Sequence, residues 1–509
     1  MMYRQVIALI RQNILLSTVL LVLLLGRLAI SGHGYLEDSD EVDYYAAEDA
    51  FDALLTLDIV SFSQKIAITE GKPSETLLKT ILVPFHRLWS WVLGVPRHSP
   101  TGLLFLGLVN IAVSIAMLLL FYLLQLRLGL SKRSAIVGVA NLGVFINFNL
   151  YTRHLLGYDM GLLLQLLSLY GVLTAEADNR LRPYAIAGLI AALGFTTYHG
   201  YFVLIGLTGG YVLFTPTPNR WKKLAAFSIS FLLPLLVYEL FFRIGGRSFI
   251  EESILIGGTI SQGSYQEGFT FVWLYLSQVE GLLGVVVLPL FFGGLVWSFF
   301  ARLQTPIARL LALATLGYLA YGALVYGAHF MVFYGRILHQ FYPFLVLGAV
   351  YLLEKSVMLR YRLVALSIFI GLSIQYVLNI QSLNSFCYPR QVLYTYGLSN
   401  TNSKGINITT CSELRFSENY ENNWRYSRYA ASPNRLPEGR YDVVNTCFFS
   451  HYPDWFMTSY LPYDKGEGEV MFSKLHFMSY AAYTFEYCST AGRAYYLNKK
   501  FRIQLVKQP

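Results

Sequence analysis

The chain has 509 residues, of which 55% are hydrophobic and 14% are charged, and its formal net charge at pH 7 is +9. A soluble protein would carry about 25% charged residues, so the composition excludes an ordinary soluble enzyme and indicates a membrane protein. The positive charge does not indicate nucleic-acid binding, because Lys and Arg in a membrane protein first set its orientation.

Apolar stretches long enough to cross a bilayer recur from the N-terminus to about residue 380. They predict a polytopic α-helical membrane protein with about 11 transmembrane helices. The first stretch is longer than the apolar region of a signal peptide, so we expect a retained helix. The predicted spans are 12–31, 101–125, 134–151, 155–175, 183–198, 200–215, 223–243, 274–300, 308–328, 339–354 and 362–381.

The polar connections between these spans differ in charge on the two sides of the membrane. On one side each connection holds two or three Lys or Arg, namely 127–133, 176–183, 219–223, 301–309 and 354–362. The other side includes the acidic segment 33–100. The positive-inside rule therefore predicts a multi-pass plasma (inner) membrane protein with a cytosolic N-terminus. Its C-terminal region would then be periplasmic or extracellular.

The first outward loop, 33–100, contains an acidic run followed by helical patterning. Apolar residues at helical spacing predict amphipathic helices over 41–59 and 75–93, lying at the membrane surface. Asp40 and Glu41 stand just before the first of them, where a carboxylate can act as a helix cap. Capping does not explain the whole run, because each acid near the membrane surface loses hydration unless it has a partner.

Asp159 lies inside the apolar start of the span 155–175. An ionisable group within a span is costly and indicates function by default. The alternative is a structural ion pair with Arg153 and His154 at the mouth of the helix.

Two other outward regions follow. The loop 244–273 is glycine-rich, which predicts a flexible connector, and such a loop could close over a substrate. Residues 385–509 alternate β-like runs, such as 441–449 and 501–507, with turn signals. We therefore expect a transmembrane module over 1–384 and a small α+β outward domain over 385–509.

The cysteines all fall in this C-terminal region, at Cys387, Cys411, Cys447 and Cys488. Their placement favours two disulfides in an oxidising compartment, with four free thiols as the alternative. The pairing cannot be deduced from the spacing.

Three segments resemble a known family of membrane enzymes. DEVDYYAAEDAF (40–51) resembles the acidic segment that opens the first outward loop in the protein O-mannosyltransferase and aminoarabinose transferase superfamily (glycosyltransferase family 39-like). LYTRHLLGYDMGLLLQLL (150–167) is similar to a family segment in which an Arg precedes an Asp at the start of a later span. GRILHQFYPFLVL (335–347) resembles an Arg-containing segment ending in a proline. The layout agrees over roughly residues 10–355.

The resemblance implies a GT-C-like fold and transfer of a sugar from a polyprenyl-phosphate donor in the membrane lipid. The acceptor would be a hydroxyl of a glycan, lipid or protein, and the anomeric configuration would be inverted. Asp40 would be the catalytic base, Glu41 its neighbour and Asp159 a second acid of the site. Cationic groups would hold the phosphate that leaves.

Basic residues at the outer ends of the predicted spans supply candidates for these contacts. Those expected at the donor phosphate are Arg336, His86, Arg87, Arg153 and His339. Those expected at the substrate, together with Tyr44, are His199, Arg243 and Arg247.

The chain departs from the family at two places. A Lys-Pro-Pro stretch common in the first loop is VPFHRLW (83–89) here, and a family lysine after the middle spans is replaced by FTTYHGY (195–201). The donor headgroup and the metal requirement therefore stay open. A divalent cation (Mg, Mn or Zn) bound by Asp40 and Asp159 is one option.

Two other functions compete with sugar transfer. A transporter or flippase of lipid-linked sugars would show internal repeats and ionisable groups near the bilayer midplane, whereas the acids here cluster outside it. An assembly protein whose cysteine-containing domain binds a partner would need neither Asp40 nor Asp159.

Overall fold

The structure is a computed structural model, and its helical part describes residues 13–31, 43–67, 75–97, 100–153, 157–176, 180–261, 269–300, 305–327, 333, 335–356 and 361–384. Nearer the C-terminus it describes residues 406–410, 439–445, 469–475 and 502–507.

Helices make up nearly all of the described chain up to residue 384. The first are α1 (Ile14–Ile30), α2 (Asp43–Leu55), α3 (Ile59–Ala67), α4 (Glu75–Leu93), α5 (Pro100–Arg127), α6 (Lys132–Val144) and α7 (Ile146–Leu150). Next come α8 (Tyr158–Thr174), α9 (Arg182–Thr197), α10 (Phe202–Phe214), α11 (Arg220–Ile244), α12 (Phe249–Ser261) and α13 (Phe269–Leu274). The last are α14 (Gly281–Phe300), α15 (Pro306–Gly327), α16 (Gly335–His339), α17 (Tyr342–Lys355) and α18 (Arg362–Asn384).

Five of these helices, α5, α11, α14, α15 and α18, are long and apolar enough to cross a membrane, and shorter apolar helices accompany them. The chain is therefore a helical, multi-pass membrane protein. Each predicted span contains a helix, but the number of 11 crossings stays a prediction.

Close helix packing depends in places on glycine, and the pair α9 and α11 is the clearest case. A Cβ atom added at Gly188 of α9 would lie 2.2 Å from the carbonyl oxygen of Phe227 in α11. Four residues earlier on both helices, Lys223 Nζ lies 5.1 Å from the centre of the Tyr184 ring. The two helices therefore run in the same direction, with their backbones in contact at Gly188.

We predict that Gly188→Ala lowers the melting temperature of the detergent-purified protein. The added methyl group must push α11 away, which costs about 1–3 kcal/mol. Gly206→Ala in α10 is the matched control, because no atom lies within 4 Å of its added Cβ and Ala favours a helix. An equal loss in both variants would contradict this account of the packing.

The helices of the first loop pack against one end of the membrane helices. Tyr44 of α2 and Val83 of α4 form a buried cluster with Leu103 and Leu106 at the start of α5. A second cluster joins α3 to the end of α11, and contains Phe62, Ile66, Tyr238, Phe242 and Phe249.

The start of α8 lies at the same end of the bundle. Tyr158 at the beginning of α8 contacts Tyr198 just beyond α9, with ring centres 4.6 Å apart. Phe195 in the last turn of α9 contacts Phe249 of the second cluster. We call this end, marked by Pro100, Tyr158, Thr197 and Ile244, the site end.

Two outward segments differ from their predictions. The helix expected over 41–59 is present as α2 but ends at Leu55, because Leu57 has a positive φ of 56°, and Asp58 Oδ1 accepts the backbone N–H of Ser61 at the start of the next helix, α3. The loop 244–273 contains the helix α12 instead of only a flexible connector, since Ser248 Oγ accepts the backbone N–H of Glu251 and starts a helix there.

Four strands lie in the C-terminal region: β1 (Ile406–Thr410), β2 (Gly439–Asn445), β3 (Glu469–Leu475) and β4 (Arg502–Lys507). They form one sheet in the order β1-β2-β4-β3, in which β1 is parallel to β2 and the other pairs are antiparallel. Val443 of β2 lies opposite Leu505 of β4. The boundary at 385 and the α+β character stay predictions, and the cysteines lie outside the described residues.

Candidate active site

Asp159 is a buried carboxylate at the site end. It belongs to the first turn of α8, where acids are favoured by the helix dipole, and only 3% of its surface is exposed. Thr152 donates a hydrogen bond to its Oδ2 at 2.8 Å. His339 Nε2 lies 3.0 Å from its Oδ1, as a charge contact without good hydrogen-bond alignment. Two separate elements thus hold the carboxylate.

Asn147 fixes the orientation of the His339 ring. His339 Nδ1 lies 2.5 Å from the side-chain oxygen of Asn147. The amide nitrogen of Asn147 donates to Tyr275 and to the Gly335 carbonyl, so its oxygen is the acceptor and Nδ1 carries a proton. The imidazole is thereby held with Nε2 toward Asp159.

His339 is enclosed by aromatic rings. Phe148 stacks on it with ring centres 4.1 Å apart, Tyr151 meets it edge-on at 5.5 Å, and Tyr201 stacks at 6.1 Å. The imidazole is fully buried. In this structure it therefore acts on Asp159, and its expected contact with a donor phosphate stays a prediction.

Arg336 lies one turn before His339 on α16. Its Nη1 donates to the hydroxyl of Tyr158 at 2.6 Å, and its guanidinium carbon lies 5.6 Å from the centre of the same ring. Tyr158 immediately precedes Asp159 in the chain. A half-buried guanidinium, whose geometry matches phosphate oxygens, thus lies on the same short helix as the histidine that contacts Asp159.

Tyr44 and His86 form a second polar group, within the first-loop helices. The hydroxyl of Tyr44 lies 2.7 Å from His86 Nδ1, and His86 Nε2 lies 3.2 Å from the carbonyl oxygen of Arg97. Burial raises the pKa of the Tyr44 phenol, so it stays protonated. A carbonyl oxygen only accepts, so His86 Nε2 carries the proton, and in the neutral ring Nδ1 accepts from the Tyr44 hydroxyl. These bonds join α2 to α4, and the roles expected for both residues at the substrates stay predictions.

Arg87 has a carboxylate partner. Its two terminal nitrogens donate to the two oxygens of Asp52 at 2.6 Å and 2.8 Å. The hydrogen bonds from Arg87 lower the pKa of Asp52, so the pair is intact at neutral pH and is lost only as the pH falls below the usual range of an aspartate. Phosphate binding by Arg87, which stays a prediction, would require Asp52 to release it.

Arg243 and Arg247 lie at the end of α11 beside acids. Arg243 donates to Glu239 at 2.7 Å and to Glu251 at 2.9 Å, and Arg247 Nη1 lies 3.5 Å from Glu252. These pairs tie α11 to α12. His199 follows α9, with its ring tilted against Tyr198 at 5.8 Å. A role for these residues at the substrate stays a prediction.

The remaining predicted residues fall outside what the structure describes. Asp40, Glu41 and His154 lie in undescribed segments, and the side chain of Arg153 is likewise not described. Within the described ranges no group of three His, Cys, Asp or Glu residues could hold a metal ion. A cation bound by Asp40 and Asp159 stays a prediction.

One segment of the chain is similar to a known protein family. Residues 87–242 match the sequence model of the dolichyl-phosphate-mannose-protein mannosyltransferase family. Over these residues the match confirms the resemblance to GT-C glycosyltransferases inferred from the sequence. No curated protein matches the chain.

The segment similar to the mannosyltransferases runs from α4 to the end of α11. It contains Arg87, Arg153, Asp159 and His199 of the predicted site residues. Asp40, Arg336 and His339 lie outside it, so their assignment depends on the shorter resemblances and on the geometry described above.

Glu280 supports the site and was missed from the sequence. Its oxygens accept the backbone N–H groups of Ile146 at 2.7 Å and Asn147 at 3.0 Å, and the Tyr342 hydroxyl at 2.9 Å. It thereby starts α7 and holds Asn147 against His339. The span predicted as one helix over 134–151 is consequently broken at Phe145. Glu280 lies inside the predicted span 274–300. The rule that an ionisable group within a span indicates function, which selected Asp159, would therefore also have selected Glu280.

We predict that Glu280→Gln lowers the free energy of unfolding by about 1–3 kcal/mol, because the amide group of Gln leaves one buried N–H without an acceptor. Glu354→Gln is the control. Glu354 also accepts a backbone N–H, that of Ser131, but near the surface, where water replaces the lost bond. Chemical unfolding in detergent measures both variants, and equal losses would contradict the role given to Glu280.

Proposed function

We propose that the protein transfers a sugar from a polyprenyl-phosphate-linked donor to an acceptor hydroxyl on the outer face of the membrane. The observation that carries the proposal is the short helix α16, on which a phosphate-matched cation, Arg336, lies one turn before His339, the residue that contacts the buried acid Asp159. The similarity of residues 87–242 to mannosyltransferases supports it.

The reaction needs a base and an anion site. A base takes the proton of the acceptor hydroxyl, the hydroxyl oxygen forms a bond to the anomeric carbon, and the bond from that carbon to the phosphate oxygen breaks. The phosphate leaves with the bonding electrons and gains negative charge. Asp40 is the proposed base, with Glu41 beside it, and a direct displacement of this kind inverts the anomeric carbon.

Arg336 is the proposed partner of the leaving phosphate. A guanidinium presents N–H donors in a fork that fits phosphate oxygens, and it keeps its charge at every physiological pH. The ring and hydroxyl of Tyr158 fix its direction. Fixed positive charge aimed at developing negative charge is a strong source of rate acceleration.

Asp159 and His339 form the buried support of this arrangement. His339 Nε2 lies 3.0 Å from Asp159 Oδ1, and Asp159 belongs to the first turn of α8, where Tyr158 lies. In this proposal Asp159 contributes a negative charge at the start of α8 and does not react with the substrates. The alternative role of the same carboxylate is to bind a divalent cation together with Asp40.

The acceptor would reach the site from the outer face. The first-loop helices and α12 border the site end, and Arg243, Arg247, His199 and Tyr44 are the candidates for acceptor contacts. A glycan, a lipid or a protein hydroxyl all fit this chemistry, as does either a hexose or a pentose on the donor. The proposed orientation places the N-terminus in the cytosol of a cell with a plasma (inner) membrane.

The proposal is tested with purified protein and a panel of synthetic polyprenyl-phosphate sugars. Release of polyprenyl phosphate is measured with glycan, lipid and peptide acceptors, with and without a chelator. We expect release with at least one hexose or pentose donor. If the chelator stops the release of polyprenyl phosphate, the ion that restores it, Mg, Mn or Zn, is the cation of the site. If every donor stays intact with every acceptor, sugar transfer is contradicted.

A further inference from the structure

Arg27 is a buried cation in the first membrane helix. It lies one turn before the end of α1, and none of its surface is exposed. A guanidinium cannot lose its proton in a protein, so it remains charged inside an apolar helix bundle. A buried charge of this kind is costly unless an opposite charge compensates it.

The direction of the Arg27 side chain excludes an arginine that reaches the membrane surface. An arginine near a helix end ordinarily extends its head group to the membrane surface. Arg27 instead turns into the bundle, where its Nε donates to Ser114 Oγ of α5 at 3.1 Å and its Nη1 reaches the Leu23 carbonyl at 3.4 Å. Its Nη2 is buried without a hydrogen-bond partner, and no carboxylate in the described ranges lies within ion-pair distance of it.

Two hydroxyls connect Arg27 to Asp159. Thr152 Oγ1 lies 3.4 Å from Ser114 Oγ and 2.8 Å from Asp159 Oδ2. Ser114 and Thr152 are both buried. The same pair of hydroxyls therefore touches the guanidinium on one side and the carboxylate on the other, in a region without exposed surface.

We propose that Arg27 is the charge partner of Asp159 and acts through Ser114 and Thr152. Interactions between charges are screened little away from water, so a guanidinium two hydroxyls away attracts the carboxylate. Arg27 is thus a positioning residue, which keeps Asp159 turned toward His339. This inference concerns two charges in the folded protein and holds whether or not the protein transfers sugar.

A double-mutant cycle on the melting temperature tests the proposal. Arg27→Met keeps an unbranched side chain, which is shorter and uncharged, so Asp159 loses the attraction of the guanidinium. We expect it to lower the melting temperature by roughly 5 °C. In the double variant Arg27→Met/Asp159→Asn the loss should be no larger than that of the worse single variant, because both members of the pair are removed together. Losses that add would overturn the proposal.

Arg127→Met is the matched control for this cycle. Arg127 donates to α8 at the end of that helix opposite to Asp159, where its Nε lies 3.0 Å from the Leu173 carbonyl oxygen. Its loss should add to that of Asp159→Asn. If the control couples to Asp159→Asn as strongly as Arg27→Met does, the coupling is a general property of α8, and the proposal fails.

Two further variants keep the test decisive. Should Arg27→Met fail to accumulate, the double variant with Asp159→Asn should accumulate, and its failure to do so would overturn the proposal. Arg27→Lys keeps the positive charge, so it should restore most of the loss seen in Arg27→Met. A loss in Arg27→Lys equal to that in Arg27→Met would show that shape rather than charge is required.

Discussion

Replacing Asp40 by Asn should lower the rate of sugar transfer by about 10²–10⁴-fold, the usual contribution of a positioned base. The amide has the same shape as the carboxylate but cannot take the proton of the acceptor hydroxyl. The melting temperature should not change, since the substitution keeps the size of the side chain. Initial rates of polyprenyl phosphate release by the purified variant measure the effect.

Asp49→Asn is the control for this prediction. Asp49 belongs to the same acidic run, but it is exposed and pairs with Lys65 at 2.8 Å, as a surface ion pair of little energetic weight. Its rate should stay within a factor of two or so of wild type. Full activity in Asp40→Asn would remove Asp40 as the base, and an equal loss in Asp49→Asn would assign the effect to the charge of the run as a whole.

Arg336→Ala should lower kcat/KM by about 10²–10³-fold, because the leaving phosphate loses a fixed positive charge. Arg336→Lys keeps the charge without the fork, so we expect an intermediate loss. Tyr158→Phe removes the hydroxyl that holds Arg336, and its effect should be smaller than that of Arg336→Ala. Steady-state kinetics with a fixed acceptor and varied donor separates kcat from KM.

Arg182→Ala controls for the removal of an arginine. Arg182 is exposed and lies in the first turn of α9, at the end of that helix opposite to the site end. The substitution should leave kcat/KM unchanged. An unchanged kcat/KM in Arg336→Ala would exclude Arg336 from the phosphate site.

Local patterns in the sequence predicted the helices well. The apolar face of 75–93 predicted α4 with its observed bounds, since a helix period is a property of consecutive residues. The break at Phe145 could not be predicted in this way, because it depends on Glu280, which lies 134 residues further along the chain. The same limit explains why the contact of Arg87 with Asp52 was not foreseen.

The candidate site was predicted in part. Asp159, Arg336 and His339 were selected from the sequence, and the structure joins them through α16, which carries Arg336 and His339, and through the contact of His339 with Asp159. Arg27 and Glu280 were missed, although both are ionisable groups inside predicted spans. Their partners, Ser114 and two backbone N–H groups, carry no charge, so charge patterns alone did not indicate them.

The most direct test of the proposed function follows one labelled sugar in sealed vesicles that contain the purified protein. The donor is a polyprenyl-phosphate sugar, and its chemical state and its side of the membrane are measured in the same sample. The account predicts that the label leaves the carrier and appears in a new glycosidic bond, with polyprenyl phosphate released in equal amount. Donor that crosses the bilayer intact, with no new glycosidic bond, would contradict it and identify a transporter of lipid-linked sugars.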